Sequence, residues 1–413
     1  MRIAIIGGGA AGLMTAATLL EHPSDHEILL IEKNPILGQK VMISGGGRCN
    51  VTTGYQDVKT VLAHYPRGNK FLLSAMHRFP PASVYAWFEQ HGVPLKTEED
   101  LRVFPQSDNG RDVVGVFEAL FHASDRLRVL TKTAVTGVER QGERFLLRLK
   151  DHAEPLLVDA LVLTTGGQAY RHTGSTGDGY AFAQALGHSL TPLAPSLNSF
   201  FTKETWVKDI SGMSFERATI TAKRDKDFAR TGPFMFTHKG ITGPAVFALS
   251  GMIAFESYDV QAPLNITLDL LPDTSYEQLL QQFEHLRREH GKKAPDNVLA
   301  LLIPKALALL VCHLCKINID QHAADLRKDE LQAMCRWIKA TPLTVIGRGA
   351  GDEFVTAGGI PLNEVNPSTM ESTLCPGLFF AGEILDIDGF TGGFNLQASW
   401  ATGRLAGSTL AER

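Results

Sequence analysis

Residues 1–33 read MRIAIIGGGAAGLMTAATLLEHPSDHEILLIEK, and no other stretch limits the possible folds as much. An apolar β-type run, Ile3 to Ile6, meets Gly7-x-Gly9-x-x-Gly12 and then a helix-forming Ala/Leu/Met/Thr segment. A second apolar run, EILLIEK, carries Glu32 twenty residues after Gly12. Each part has a physical task. Gly7 permits the tight turn, Gly9 lets a pyrophosphate approach the backbone, and Gly12 lets helix and strand pack closely. The helix N-terminus offers free N–H groups and about half a positive charge. Glu32 is placed to accept hydrogen bonds from ribose hydroxyls. Strand, glycines, helix, strand and acid in this order predict a dinucleotide-binding unit. The same run is broken by three glycines and lacks an A-x-A exit, so it reads as a buried strand rather than a signal peptide.

The motif alone does not separate FAD from NAD. Near the C-terminus, GLFFAGEILDIDGFTGGFNLQASWATGRLAG holds a β run (Leu378 to Ala381), Gly382-Glu383, and Gly392-Gly393-Phe394-Asn395 opening a helix. This is the pattern of the C-terminal flavin segment in FAD proteins built from two chain stretches: an acid holds a ribityl hydroxyl and a helix N-terminus points at the flavin pyrimidine. LVLTTGG, Leu161 to Gly167, reads as the returning strand. Three pieces in the correct order favour FAD. No second strand–GxGxxG–helix unit is present; GRGAG at 347–351 has the wrong spacing. NAD(P)H is therefore expected to dock only transiently as reductant.

At 413 residues the chain is too long for one ordinary core, so two or three domains are expected. A net charge of −4 gives no global attraction to nucleic acid or anionic membrane, and the basic run around Arg287-Arg288 and Lys292-Lys293 reads as a solvated helix end. No apolar run reaches the ~18 residues of a membrane span. Five scattered cysteines suit a reducing, cytoplasmic setting. Cys312-x-x-Cys315 lies in an apolar helical run and reads as two structural thiols; no metal site is expected for want of partner ligands.

KVMISGGGRCNVT, FPQSDNG, GSTGDGYAFAQALGH, FTHKGITGPAVFALS, VTAGGI and GLFFAGEILDIDGFTGGFNLQAS together resemble the HI0933-like flavoproteins, the BaiN/RdsA family, nearly end to end. The resemblance implies an α/β fold: a Rossmann-type FAD-binding domain of the two-dinucleotide-binding flavoprotein type, with an inserted β-rich plus helical domain. With the change of patterning near TPLAPSLNSF, the expected division is 1–190 and 345–413 for the FAD domain, and 191–344 for the insert, β-barrel-like and then helical. Activities in the family comprise NAD(P)H-dependent reduction of conjugated C=C bonds in steroid-type molecules, saturation of a ribosomal RNA uridine to dihydrouridine, and aminoacetone oxidation.

By the same resemblance the cofactor-binding set is Gly7, Gly9, Ala11, Gly12, Glu32, Lys33, Lys40, Ser44, Gly45, Gly46, Arg48, Asn50, Thr165, Gly166, Gly382, Glu383, Gly393, Asn395 and Leu396. SGGGRCN lies near the flavin ring in such proteins, which makes three residues catalytic candidates. Cys49 would protonate a carbon of a C=C bond, or simply pack; it has no Cys-x4-Cys partner for disulfide chemistry. Arg48 would hold pyrophosphate, an anionic flavin or a substrate carbonyl, or form a structural ion pair. His238, between glycine-rich turns, would act as acid or anchor, or close its loop. The expected function is NAD(P)H-driven reduction of an electron-poor C=C bond, in a ribosomal RNA uridine or a small enone. An O2-using amine oxidase, for which Phe390, Phe394 and Trp400 offer an aromatic cage, and a non-catalytic flavin-containing RNA-binding or redox-sensing module are the alternatives.

Overall fold

The computed structural model describes residues 1–225, 227–349 and 353–413. The chain divides into two compact units, one formed by Met1–Ser196 and Gly351–Arg413, the other by Leu197–Ala350. Ala350 and Gly351 of the GRGAG stretch lie outside the described residues.

In the first unit, β1 (Arg2–Ile6), β2 (Glu27–Ile31), β3 (Leu127–Leu130), β4 (Ala160–Leu163) and β5 (Leu378–Phe380) form one sheet in the order β5-β4-β1-β2-β3. Every pairing is parallel. Such a sheet is covered on both faces, and the central strands are accordingly apolar without alternation: Ile3, Ala4, Ile5, Leu161, Val162 and Leu163 are fully buried. The last strand arrives from the far end of the chain, so the sheet closes only when both termini are in place.

Two helices lie together on this sheet, α1 (Ala10–Glu21) and α2 (Phe394–Ala411). Their contact is made by small residues. A side chain at Gly403 would come within 2.5 Å of Ala11 O, and one at Gly407 within 2.9 Å of Thr15 O. The close approach lets the Thr15 hydroxyl donate to Gly403 O at 3.1 Å. Three further segments support the site: the three-stranded sheet Thr52–Thr53, Arg102–Pro105 and Leu95–Thr97, the hairpin Val135–Gln141 and Arg144–Leu149 with its added strand Leu156–Val158, and the short helices between Val58 and Gln90.

The second unit is a closed barrel. Phe200–Thr202, Gly240–Thr242, Asp227–Thr237, Ser214–Lys223, Leu264–Asp269 and Thr341–Arg348 pair in that order and antiparallel, and the last closes on the first. The helices Tyr276–Glu289, Pro295–Leu299, Lys305–Leu314 and Lys328–Lys339 share one apolar core with it. Cys312 and Cys335 are wholly buried in that core, while Cys315, the cap of its helix, is only partly so. Among the described residues, no helix is long and apolar enough to cross a membrane.

Candidate functional site

At the carboxyl end of β1 the glycines divide their work. Gly7 has φ +111°, and a Cβ there would stand 2.5 Å from Thr164 O; one at Gly12 would stand 1.9 Å from Gly7 O. Both are closed by packing. Beside Gly9 nothing lies within 4 Å of where a Cβ would stand, so this glycine opens outward. Behind it α1 begins with neither a capping side chain nor an acidic residue in its first turn. Its first N–H groups have no partner inside the helix, an arrangement suited to phosphate. Glu32 is fixed by two backbone donors, Gly8 N–H to Oε2 at 2.7 Å and Asn34 N–H to Oε1 at 2.8 Å. Each carboxylate oxygen keeps a second lone pair for a hydroxyl. The methyl of Ala11 is enclosed between α1 and α2, 2.8 Å from where a Gly382 side chain would stand, which leaves its N–H as the group that can serve a ligand.

The SGGGRCN turn is left-handed, with φ +58°, +72° and +90° at Gly45, Gly46 and Gly47. L-residues avoid this region, so the triplet answers a conformational need as well as a demand for close approach. The three glycines are exposed, and the side chains after them turn away. Arg48 pairs with Glu98 at 2.5 Å and with Asp108 at 3.0 Å, its guanidinium 3.7 Å above the Phe104 ring. Asn50 Oδ1 accepts from Val103 N–H at 3.3 Å, and Ser44 Oγ donates to Val41 O at 2.8 Å. Cys49 is fully buried; burial pushes its thiol up to about 12, against a hydrogen bond with Ser44 that pulls the other way. A sulfur wholly enclosed by protein atoms has no surface to offer a substrate. The acid role expected for Cys49 and the anion-holding role expected for Arg48 both give way to packing and ion pairing. What the turn presents is glycine backbone.

At the ends of β4 and β5 the polar groups interlock. Thr164 Oγ1 donates towards Ile6 O and Gly7 O, at 3.0 and 2.8 Å. Thr165 Oγ1 is buried with no hydrogen-bond partner among the described residues, next to Gly166 at φ +71°. Lys40 Nζ donates to Glu383 Oε2 at 2.8 Å, and Thr356 N–H to Glu383 Oε1 at 2.9 Å. Lys33 Nζ reaches Thr176 Oγ1 and Asp178 Oδ2, both at 2.5 Å. Gly382 N–H is taken by Thr402 Oγ1 at 3.0 Å.

The start of α2 is held by its surroundings. Gly393 has φ +89°, and a Cβ there would meet Thr52 O at 2.2 Å. No side chain caps the helix and no acid stands in its first turn. The Asn395 side-chain amide accepts from Gly389 N–H and donates to Gly389 O, each at 2.8 Å, so it clamps the preceding turn. Leu396, beside it, is partly exposed. Trp400 is core, stacked on Phe117 at 5.7 Å with its N–H given to Val51 O. Phe390 and Phe394 do reach this end, but they pack with Tyr55, His64 and Tyr65 on one another rather than around an opening. His238 belongs to the second unit, where it is exposed at the turn between Asp227–Thr237 and Gly240–Thr242. The same unit carries an apolar cavity of about 450 Å³ lined by Phe215, Pro233, Phe234, Met235, Pro244 and Phe247.

Sequence reasoning singles out Asp388 only as a cap of the LDIDG loop and passes over His64. Asp388, fully buried, forms a two-pronged ion pair with Arg67 and accepts from Ser196 Oγ at 2.7 Å. His64 stacks on Phe394 at 4.3 Å and 11°. Their partners are hundreds of positions away, and only the acids of LDIDG gave a local signal.

The open cradle at Gly9, the backbone-fixed Glu32, two uncapped helix starts and an exposed glycine turn are a donor set that fits FAD. With the parallel sheet built from both chain ends, they define the class: an α/β flavoprotein of the FAD-dependent oxidoreductase type. The chain belongs to the HI0933-like family, whose Rossmann-domain model matches residues 1–409. It is 30% identical to the 3-dehydro-bile acid delta(4,6)-reductase of Clostridium scindens, over 100% of this chain and 99% of that protein. It is also 30% identical to the ribosomal RNA dihydrouridine synthase of Haemophilus influenzae, over 96% of this chain and 95% of the relative. Among solved structures, the open conformation of a flavocytochrome c3 fumarate reductase aligns with TM-score 0.51 and 15% identity, covering 100% of this chain and 78% of that one. A 3-ketosteroid delta1-dehydrogenase from Sterolibacterium denitrificans aligns with TM-score 0.50 and 11% identity over 99% of both chains. These two likenesses concern the fold.

Proposed function

We propose that the protein is an FAD-dependent reductase that saturates an electron-poor C=C bond, with NAD(P)H as the transient electron donor. One observation carries the reading: two relatives matched over nearly their whole length are named for saturating conjugated double bonds, in a bile acid and in a ribosomal uridine. When bound, FAD supplies the hydride chemistry. The chain's own residues bind and orient it. The N–H groups at the start of α1, with Gly9 open beside them, take the pyrophosphate, and Glu32 takes the adenosine ribose. Glu383, held between Lys40 and Thr356 N–H, takes a ribityl hydroxyl. The glycine turn and the start of α2 border the ring, where the positive helix end favours negative charge.

Two measurements test this. Anaerobic mixing of the FAD-loaded protein with NADH or NADPH is expected to bleach the flavin rapidly. Absence of bleaching, with rapid reduction by an amine, would replace the reading with an oxidase. Comparison of ribosomal dihydrouridine between a deletion strain and its parent then decides the acceptor: unchanged dihydrouridine leaves the small enone, and its loss assigns the RNA.

A further inference from the structure

We propose that Tyr170 and Phe354 form the platform on which the nicotinamide dinucleotide docks, its flat ring on the aromatic faces and its phosphates towards Lys40 and Arg171. This rests on the reading of the protein as an NAD(P)H-driven reductase and of Glu383 as the acid of the ribityl chain.

A short relay of hydrogen bonds fixes the platform to Glu383. Gln168 N–H and Ala169 N–H donate to Thr356 Oγ1 at 2.7 and 3.1 Å, and Thr356 N–H in turn holds Glu383 Oε1. Tyr170 follows these donors directly, and Phe354 stands two residues before Thr356. Their rings meet at 6.0 Å and 35°, with His172 edge-on to Tyr170 at 5.7 Å and 69°. Lys40 Nζ lies 5.8 Å from the centre of the Tyr170 ring while it donates to Glu383 Oε2. The aromatic rings and the acid proposed for the ribityl chain are therefore one connected group within the first unit.

Backbone, exposure and charge together give the occupant its chemistry. Tyr170 has φ +57° and ψ +52°, a left-handed conformation that bulky side chains rarely adopt and that gathers at ligand clamps. Thr173 maintains it, its N–H and Oγ1 both donating to Tyr170 O at 2.8 Å. The rings stay at the surface: Phe354 is 36% exposed, His172 is exposed and Tyr170 is half-buried. Aromatic faces held there beside a cation suit stacking by a flat ring. The charge next to them is positive. Arg171 is exposed, donates to Gln168 Oε1 at 2.6 Å, and among the described residues pairs with no carboxylate. Lys40 is the second cation. A flat ring joined to phosphates meets both demands, and NAD(P)H is such a molecule. The chain's strand–GxGxxG–helix unit is taken by FAD, so the reductant needs a surface of another kind. A strand of RNA also joins flat bases to phosphates, but it calls for a basic groove along several nucleotides, which these two cations do not make.

The test is binding without electron transfer. NAD+ and NADP+ are titrated calorimetrically into the FAD-loaded protein, with a short oligouridylate as the comparison probe. The parent is expected to bind at least one of the two dinucleotides. Tyr170→Gly removes the ring and relieves the left-handed backbone, so it is expected to keep the parent's unfolding midpoint yet bind the dinucleotide at least about tenfold more weakly. Phe354→Leu is expected to weaken binding at least about threefold, and Tyr170→Phe, which keeps the ring, to bind within about twofold of the parent. All three variants are expected to hold FAD within about threefold of the parent, by flavin fluorescence. Dinucleotide binding that is unchanged in Tyr170→Gly, or absent from the parent, would overturn the proposal. Loss of FAD affinity in Tyr170→Gly would also overturn it, by making the rings part of the flavin's own bed. Ring-dependent binding of the oligouridylate alone would overturn it in favour of RNA. The reductase reading fails separately, when NAD(P)H does not bleach the parent flavin. A parent that bleaches, with Tyr170→Gly binding the dinucleotide as the parent does, keeps that reading and loses the platform.

Discussion

Cys49 sits under the glycine turn with no surface of its own, so removing its sulfur acts through packing. Cys49→Ala is expected to destabilise the protein by about 1 kcal/mol in urea unfolding while leaving acceptor reduction within about twofold of the parent. A drop of a hundredfold would restore the acid role. His188 shows how a buried polar line serves structure. Its Nδ1 faces Glu364 Oε2 at 2.9 Å and its Nε2 faces Ser372 Oγ at 2.8 Å, the order of a hydrolase triad. Ser372 is only 6% exposed, however, and its oxygen already accepts the N–H groups of Leu374 and Cys375, so the line ties a turn. Burial lowers the His188 pKa, opposed by Glu364. The unfolded chain then binds the proton more tightly. This contribution is therefore complete above about pH 6.5 and is lost as pH falls through that value towards the folded pKa. Glu364 adds a loss in the same direction at lower pH: burial alone would raise its carboxyl, but hydrogen bonds from Ser189 and His188 hold it below its ordinary range. Urea unfolding at about pH 7.5 and 5.5 should show a smaller pH loss in His188→Gln than in the parent.

Among the elements, the turn from β1 into α1 offers the sharpest contrast. A methyl at Gly12 would collide with Gly7 O at 1.9 Å, whereas one at Gly9 meets nothing within 4 Å. Gly12→Ala is expected to abolish soluble folded protein. Gly9→Ala is expected to unfold within about 1 kcal/mol of the parent yet bind FAD at least tenfold more weakly, measured by flavin fluorescence. Both glycines were legible in sequence, because strand, turn and helix determine their surroundings within a few residues. The SGGGRCN turn was legible only as a special backbone. Which way Arg48 points depends on Glu98 and Asp108, some fifty residues on, and Asn395 faces back to Gly389 because the turn before α2 needs closing. Spacing carries no record of those partners.

Across the whole molecule, the first unit is assembled from both ends of the chain, and the groups proposed to hold FAD lie at the ends of β1, β4 and β5 and at the starts of both helices. A ligand that bridges such distant segments stabilises the native state by mass action. FAD at about a hundred times its dissociation constant is expected to add about 2.7 kcal/mol against unfolding, and stripping it should remove that increment. Calorimetry of the same preparation with and without FAD checks this; an unchanged transition would refute the assembly of the site from both ends. The sequence by itself determined the parallel α/β unit, its glycine cradle, its acid and the family, because these depend on local sterics and short spacings. Only the tertiary structure decided that Arg67 meets Asp388, that His64 lies on Phe394, and that Cys49 is sealed under the turn whose glycines face outward. Those contacts join residues far apart in the chain, and their energies come from burial and pairing that exist only once the sheet has closed.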